Sequence, residues 1–268
     1  MAFTEKTKGN LLYLISDKIK TKHAFTTRFG GVSSGGFSSL NFGYMRGDPD
    51  ENVNENFRIL GETFNIDPFN AGFTRQVHGS EVCLIEEHDL RAPFDFNRPD
   101  CDAVVTRLPE TPVFCFIADC VPILLYDDEN KVAAAVHCGW RSSVSDILKN
   151  TLELMEKQGA RAPSVSAAIG PSIGQCCFEV GSDVAEALER YIGPKSKEVL
   201  KPGVGEDKYY ADLKLANAIR LTELGVSENN IDICDKCTKC QNNKFWSHRH
   251  VGLNDRGSQC AFISVERG

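Results

Sequence analysis

No stretch of this 268-residue chain is apolar for long enough to cross a bilayer as a helix, which excludes an integral α-helical membrane protein. One short apolar run, residues 11–15, lies near the start between Lys8 and Asp17-Lys18. It lacks the apolar core and cleavage site of a signal peptide, so a cytoplasmic location is expected. Positive charge is not in excess. The formal net charge is -7 and the isoelectric point about 5.5. That argues against a broad nucleic-acid-binding face and leaves room only for a local basic pocket. Internal repeats, low-complexity tracts and long linkers are also missing. Histidine is scarce, with six residues.

What is present is an ordinary globular composition, 41% hydrophobic and 25% charged, long enough to bury a core without staples. Cysteine is the exception. Eleven residues, an odd number on a chain with no visible signal peptide, argue for reduced thiols rather than a disulfide framework. Cys83, Cys101, Cys115, Cys138 and Cys260 sit in apolar runs, where a thiol packs as a small hydrophobe.

Strand-like runs alternate with a few amphipathic helices, which favours one α/β or α+β domain. Strands are expected over 23–28, 73–77, 82–86, 113–117, 165–169, 231–234 and 261–265, and a hairpin pairs 123–126 with 131–136. Pro122 cannot donate to a ladder, so a bulge or break is expected there. Helices are expected over 52–64, 184–191 and 212–224. Another should follow His137, capped by Ser142 or Ser143 and carrying an apolar stripe from Val144 to Met155.

Two histidines stand beside glycine at strand ends, His78 before Gly79 and His137 before Cys138-Gly139. Cys120 falls at an irregular point between two strands. Two imidazoles and a thiolate form a three-ligand set with a vacant fourth position, the arrangement of a catalytic zinc. The residues alone leave a second reading open: hydrogen-bonded histidines and a buried cysteine. Asp119, next to Cys120, either orients an imidazole, acts as an acid/base or caps a turn. Cys234, Cys237 and Cys240 form a C-x-x-C-x-x-C run that suggests a metal when taken alone. A fourth ligand at the usual distance is missing, and Cys176-Cys177 is a weaker signal still. The run is expected to be reduced and free of iron.

In combination, these motifs resemble one family over nearly the whole chain. The matching stretches include Thr27-Arg28-Phe29-Gly30-Gly31-Val32-Ser33, Leu40-Asn41-Phe42-Gly43 and Gln76-Val77-His78-Gly79. Further along they include Ala118-Asp119-Cys120-Val121-Pro122, Val136-His137-Cys138-Gly139-Trp140-Arg141, Ile169-Gly170-Pro171 and Phe245-Trp246-Ser247-His248-Arg249. The chain resembles the YfiH family, also called the laccase-domain or purine nucleoside phosphorylase family. The resemblance implies an α+β fold, a single compact domain of mixed β-sheets flanked by helices in α/β/β/α layers. It implies Zn²⁺ held by His78, Cys120 and His137. It also implies phosphorolysis of adenosine, inosine and methylthioadenosine, with hydrolytic deamination of adenosine. The chain departs from the family at Cys138 and Ser142, where alanine and glycine are usual. It departs again at Trp246, His248, His250 and Asp255-Arg256-Gly257.

Phosphorolysis needs an anion site. Arg28 ahead of a glycine-rich loop, Arg141 before a helix and Arg249 are the candidates, with Asn41 taken beside them as a substrate contact. Purine nucleosides and inorganic phosphate are the expected partners, and the chain a monomer or homodimer. The family's older label, a multicopper oxidase, is rejected. Such sites need several His-x-His pairs, and this chain has His248-Arg249-His250 alone. Two alternatives remain: a metal-free cysteine hydrolase built on Cys120 and a histidine, and a binding module without turnover.

Overall fold

A computed structural model describes residues 3–252 and 256–267. Asp255, one of the departures noted above, lies outside the described residues. The fold is a mixed α+β arrangement with three sheets. The first is antiparallel and runs in the order β1 (Phe3–Lys8), β2 (Leu11–Ser16), β3 (Lys22–Thr26), β14 (Gln259–Ser264), β6 (Pro112–Ile117). The second is mixed and six-stranded: β13 (Ile231–Ile233), β9 (Ser166–Ile169), β7 (Val121–Asp127), β8 (Val132–Cys138), β5 (Ala103–Thr106), β4 (Val82–Ile85). A small third sheet holds β10 (Glu179–Gly181), β12 (Lys208–Ala211) and β11 (Leu200–Pro202). The helices are α1 (Asp50–Phe64), α2 (Trp140–Val144), α3 (Ile147–Lys157), α4 (Ser182–Ile192), α5 (Ser196–Val199), α6 (Leu213–Glu223) and α7 (His248–Val251). No helix among the described residues is long and apolar enough to cross a membrane.

Side-chain alternation builds the layers. In β7 and β8, Ile123, Leu125, Val132, Ala134 and Val136 face α3, α4 and α6. Their neighbours Leu124, Tyr126, Ala133 and Ala135 face the other sheet, meeting Phe25, Val113, Cys115, Ala261 and Ile263. On the far side of that five-stranded sheet, Phe114, Cys260 and Phe262 meet Val53, Phe57 and Leu60 of α1. A period of two thus gives each strand two apolar faces, and the order is helix, sheet, sheet, helix. Asp50 and Glu51 in the first turn of α1 suit its dipole, and Asn65 closes it in the left-handed region at φ 51°.

Four local expectations are corrected. Residues 73–77 form no strand; this segment makes one isolated bridge, Arg75 with Asp100. Pro122 lies inside β7, paired with His137. Its carbonyl accepts from Gly170 N just past the end of β9, so its missing N–H falls where that ladder stops. The helix after His137 is two helices, capped by Gly139 rather than a serine and broken at Asp146, which is left-handed at φ 62°. The fourth concerns the thiols. Cys83 and Cys101 are joined in a disulfide, Cα atoms 6.1 Å apart. The parallel register sets Cys83 opposite Val104, and Cys101 lies just before β5, outside that ladder. The other nine cysteines are free.

Candidate metal centre

The β7–β8 hairpin positions two of the expected ligands. Its register pairs Val121 with Cys138 and Pro122 with His137. Cys120, one residue before β7, is thereby held beside the end of β8. Alternation sends Val136 and Cys138 toward the helices, so His137 points from the opposite face. His78 arrives from a turn between Arg75 and β4 and is itself left-handed, with φ 62°.

The three converge. Their ligand atoms lie within 4.8 Å of one another. Cys120 Sγ is 3.8 Å from His78 Nε2, and the two imidazoles meet edge to face with centroids 4.8 Å apart. His137 is buried, Cys120 half-buried and His78 exposed, so the cluster opens on one side. Donors bonded to zinc at about 2.0–2.3 Å require spacings of this size.

Asp102, immediately before β5, organises the cluster, and sequence reasoning missed it. One carboxylate oxygen accepts from His137 Nδ1 at 2.7 Å and from His78 N at 2.9 Å. The other accepts from Val77 N at 3.0 Å and Gly79 N at 2.7 Å. Its own carbonyl accepts from His137 N at 2.8 Å. The bond to Nδ1 fixes the His137 tautomer and turns Nε2, the remaining nitrogen, into a lone-pair donor. The three consecutive amides form a nest that keeps His78 in its turn. Burial works against ionisation of Asp102, but His137 and these amides outweigh it and hold its carboxyl below the usual carboxylate range.

The donor set is electronically matched. Burial opposes a Cys120 thiolate, yet His137 and His78 bring the thiol down to about 6. Burial likewise opposes a charged His137, but Cys120 and Asp102 raise it to about 9. Gly139 leaves the space the cluster needs. A Cβ there would approach His78 Cδ2 to 2.9 Å and Cys120 Sγ to 3.5 Å.

Asp119 does something other than orient an imidazole. Its carboxylate accepts from Thr238 Oγ1 at 2.5 Å, Ser247 Oγ at 3.1 Å and Arg249 N at 2.6 Å. This straps the segment 238–249 over the site. A pocket of about 130 Å³ lies between them, walled by Cys120, Gly139, Trp140, Ile173, Phe178, Leu213, His248 and Arg249 among others.

The expected anion ligands are dispersed. Arg249 lines the pocket, its guanidinium donating to Glu179 O at 3.0 Å. Arg141 is exposed and stacks on Trp140, 4.4 Å from the ring centroid. Arg28 donates to Ser38 O at 3.0 Å and Asn242 O at 2.9 Å and lies over Trp246. Asn41 is buried; it donates to Asp48 and accepts from Gly43 N and Ser258 N. Arg256, which sequence reading left aside, is buried, and its Nε has no partner among the described residues. Burial lowers its pKa; Asp119 and Cys120 act on it through space in favour of the charged form. Its signal in the sequence was weak because its surroundings depart from the family pattern.

A family model described as Multi-copper polyphenol oxidoreductase laccase matches residues 22–266. A purine nucleoside phosphorylase of Bacteroides thetaiotaomicron is 34% identical over 245 residues, spanning 89% of this chain and 90% of that protein. Adenosine deaminase RL5, from an unknown prokaryotic organism, is 34% identical over 236 residues, 86% of this chain and 89% of its own. The crystal structure of YlmD from Geobacillus stearothermophilus superposes with a TM-score of 0.91 at 28% identity over 99% of both chains.

Proposed function

The chain belongs to the Multi-copper polyphenol oxidoreductase laccase family, and from its site we propose that it is a zinc-dependent purine nucleoside phosphorylase that also deaminates adenosine. One observation carries the reading: His78, Cys120 and His137 converge in front of Asp102, with one side open to a pocket. Relatives named for each of the two activities support it.

The copper chemistry in the family's description does not fit these residues. Beyond His78 and His137, His23 is buried and bonded to Ser16 N and Thr21 O. His88 and His250 are exposed elsewhere, and His248, exposed at the pocket wall, belongs to no candidate metal group among the described residues. Among the described residues no candidate metal group besides that of His78 offers two imidazoles, so a multi-copper cluster has no ligands.

Zinc held by His78, Cys120 and His137 supplies a Lewis acid that lowers the pKa of water toward neutrality, which suits deamination. The protein's own residues do the rest. Phe178, Ile173, Leu213 and Trp140 offer an apolar wall for a purine ring. The enclosed volume holds part of a nucleoside, and the remainder lies across the open mouth toward Arg249 and His248. Arg249 and Arg256 are favoured for the phosphate anion, because Arg28 and Asn41 already satisfy backbone groups and Asp48. Arg141, exposed at the rim, is the next candidate. Of the titratable pocket-wall groups outside the ligand set, Asp119 has three donors on its carboxylate. That leaves His248 to exchange a proton with the departing purine.

The test is direct. Purified protein given adenosine should form adenine and ribose 1-phosphate when phosphate is present, and inosine without it. Zinc removal should abolish deamination. Absence of all these products overturns the assignment. A second reading, a metal-free cysteine hydrolase, draws on the Asp102–His137–Cys120 chain. Zinc-free protein that hydrolyses esters and loses that activity in Cys120→Ala would favour it.

A further inference from the structure

A second group of ligands lies apart from His78. Cys176 and Cys177 sit in the turn between β9 and β10, and Cys237 and Cys240 in the turn after β13. The two turns are stitched together: Ser172 bridges Cys237, Thr238 N donates to Ser172 O at 3.0 Å, and Gly174 N donates to Cys237 Sγ at 3.2 Å. All four sulfur atoms fall within 4.8 Å of one another. Cys240 Sγ is 3.5 Å from Cys176 Sγ and 3.4 Å from Cys177 Sγ. Four thiolates around one tetrahedral zinc, with bonds of about 2.3 Å, stand roughly 3.8 Å apart. Gly174 keeps the space clear, since a Cβ there would lie 3.4 Å from Cys176 Sγ and 3.2 Å from Cys237 Cβ.

We propose that Cys176, Cys177, Cys237 and Cys240 bind one zinc ion as a closed, structural tetrathiolate. The sequence hid this site because its C-x-x-C-x-x-C run is divided by the fold. Cys234 is fully buried in the core between the two large sheets. The ligands missing from the run come from residues some sixty positions earlier. An iron–sulfur cluster does not fit, because irons and sulfides between the thiolates would hold them further apart than they are.

The ion fastens two irregular turns that frame the candidate active pocket. Ile173 and Phe178, which flank the first turn, line that pocket. Thr238, next to Cys237, bonds Asp119. A four-thiolate site leaves no open position for substrate, so its role is to hold this wall rather than to react.

The experiment counts and types the metals. Protein purified under reducing conditions should carry about two zinc ions per chain, falling to about one in Cys176→Ser/Cys240→Ser and to about one in Cys120→Ala. The Cys120→Ala protein, reloaded with cobalt(II), should still show a strong near-ultraviolet thiolate-to-cobalt band, because the four-thiolate site is intact. That spectrum decides the matter even if the double variant does not fold. A Cys120→Ala protein with neither zinc nor that band overturns the proposal, as does iron in place of zinc. Failure of the His78 site alone gives a different result: about one zinc per chain that Cys120→Ala leaves unchanged.

Discussion

Asp102 shows how much one carboxylate can organise. It accepts from His137, selects its tautomer and fixes the turn that presents His78, with four donors on two oxygens. An amide at this position keeps the shape but loses the charge and one set of acceptor lone pairs. Asp102→Asn should therefore weaken zinc binding by about 10- to 100-fold, measured by competition with a chelator. An unchanged affinity would refute the orienting role. The three candidate ligands stood out in the sequence because histidine beside glycine and cysteine at a strand break are unusual local events. Asp102 was not, since it acts on residues 24 and 35 positions away. Asp119 drew attention by its adjacency to Cys120, yet its side chain is occupied by a different segment.

Between elements, polar side chains replace regular pairing where the chain is irregular. β6 is an edge strand, and Gln76 covers that edge: its amide donates to Phe116 O at 2.8 Å and accepts from Phe116 N at 2.7 Å. Residues 73–77 begin and end on an apolar residue, Phe73 and Val77, yet form no strand, because here a side chain supplies the partner. The long stripe after His137 misled in the same way. Its period continues across Asp146, where Arg220 from α6 holds the break with two bonds of 2.8 and 2.9 Å. The β7–β8 hairpin was legible because its alternation and turn residues agree. Asp119, left-handed at φ 91°, ties its loop to a segment 119 to 130 positions further along the chain. Asparagine tolerates that backbone, so Asp119→Asn isolates the loss of the carboxylate. We expect a loss of roughly 2 kcal/mol in urea unfolding, because buried donors lose a charged acceptor. Amide exchange should quicken within 238–249. Unchanged exchange there would show that the strap is held by other contacts.

At the scale of the molecule, the four layers follow from strands apolar on both faces, which is why the family's layering could be anticipated and the small third sheet could not. β10–β12 are short and mostly half-buried, and leave little periodic signal. The same burial makes the fold sensitive to acid at His23. This imidazole is 6% exposed in β3, accepts from Ser16 N at 2.9 Å and donates to Thr21 O. Burial lowers its pKa from the ordinary value near 6.5, and the bond to Thr21 O and the charge of Asp17 only partly offset this. A histidine depressed in the folded state stays neutral there while the unfolded chain takes up a proton. Its contribution is fully present above the ordinary value and is lost as pH falls through about 6.5 toward the lowered one. Asp232, which accepts from Ser16 Oγ, is raised by burial and has the opposite sign, holding its proton more readily when folded as the solution turns acid. That gain begins as pH falls through its raised carboxyl value. Asp102, held low, is lost only below the ordinary carboxylate range. Urea midpoints of the wild type should therefore fall as pH drops from about 7 to about 5. His23→Gln keeps an acceptor for Ser16 N and removes the titrating group, so its midpoints should fall less over the same interval. Both proteins carry the same candidate metal ligands, so acid release of a bound metal cancels in the comparison. Parallel slopes in the two proteins would show that His23 is not the source of the acid sensitivity.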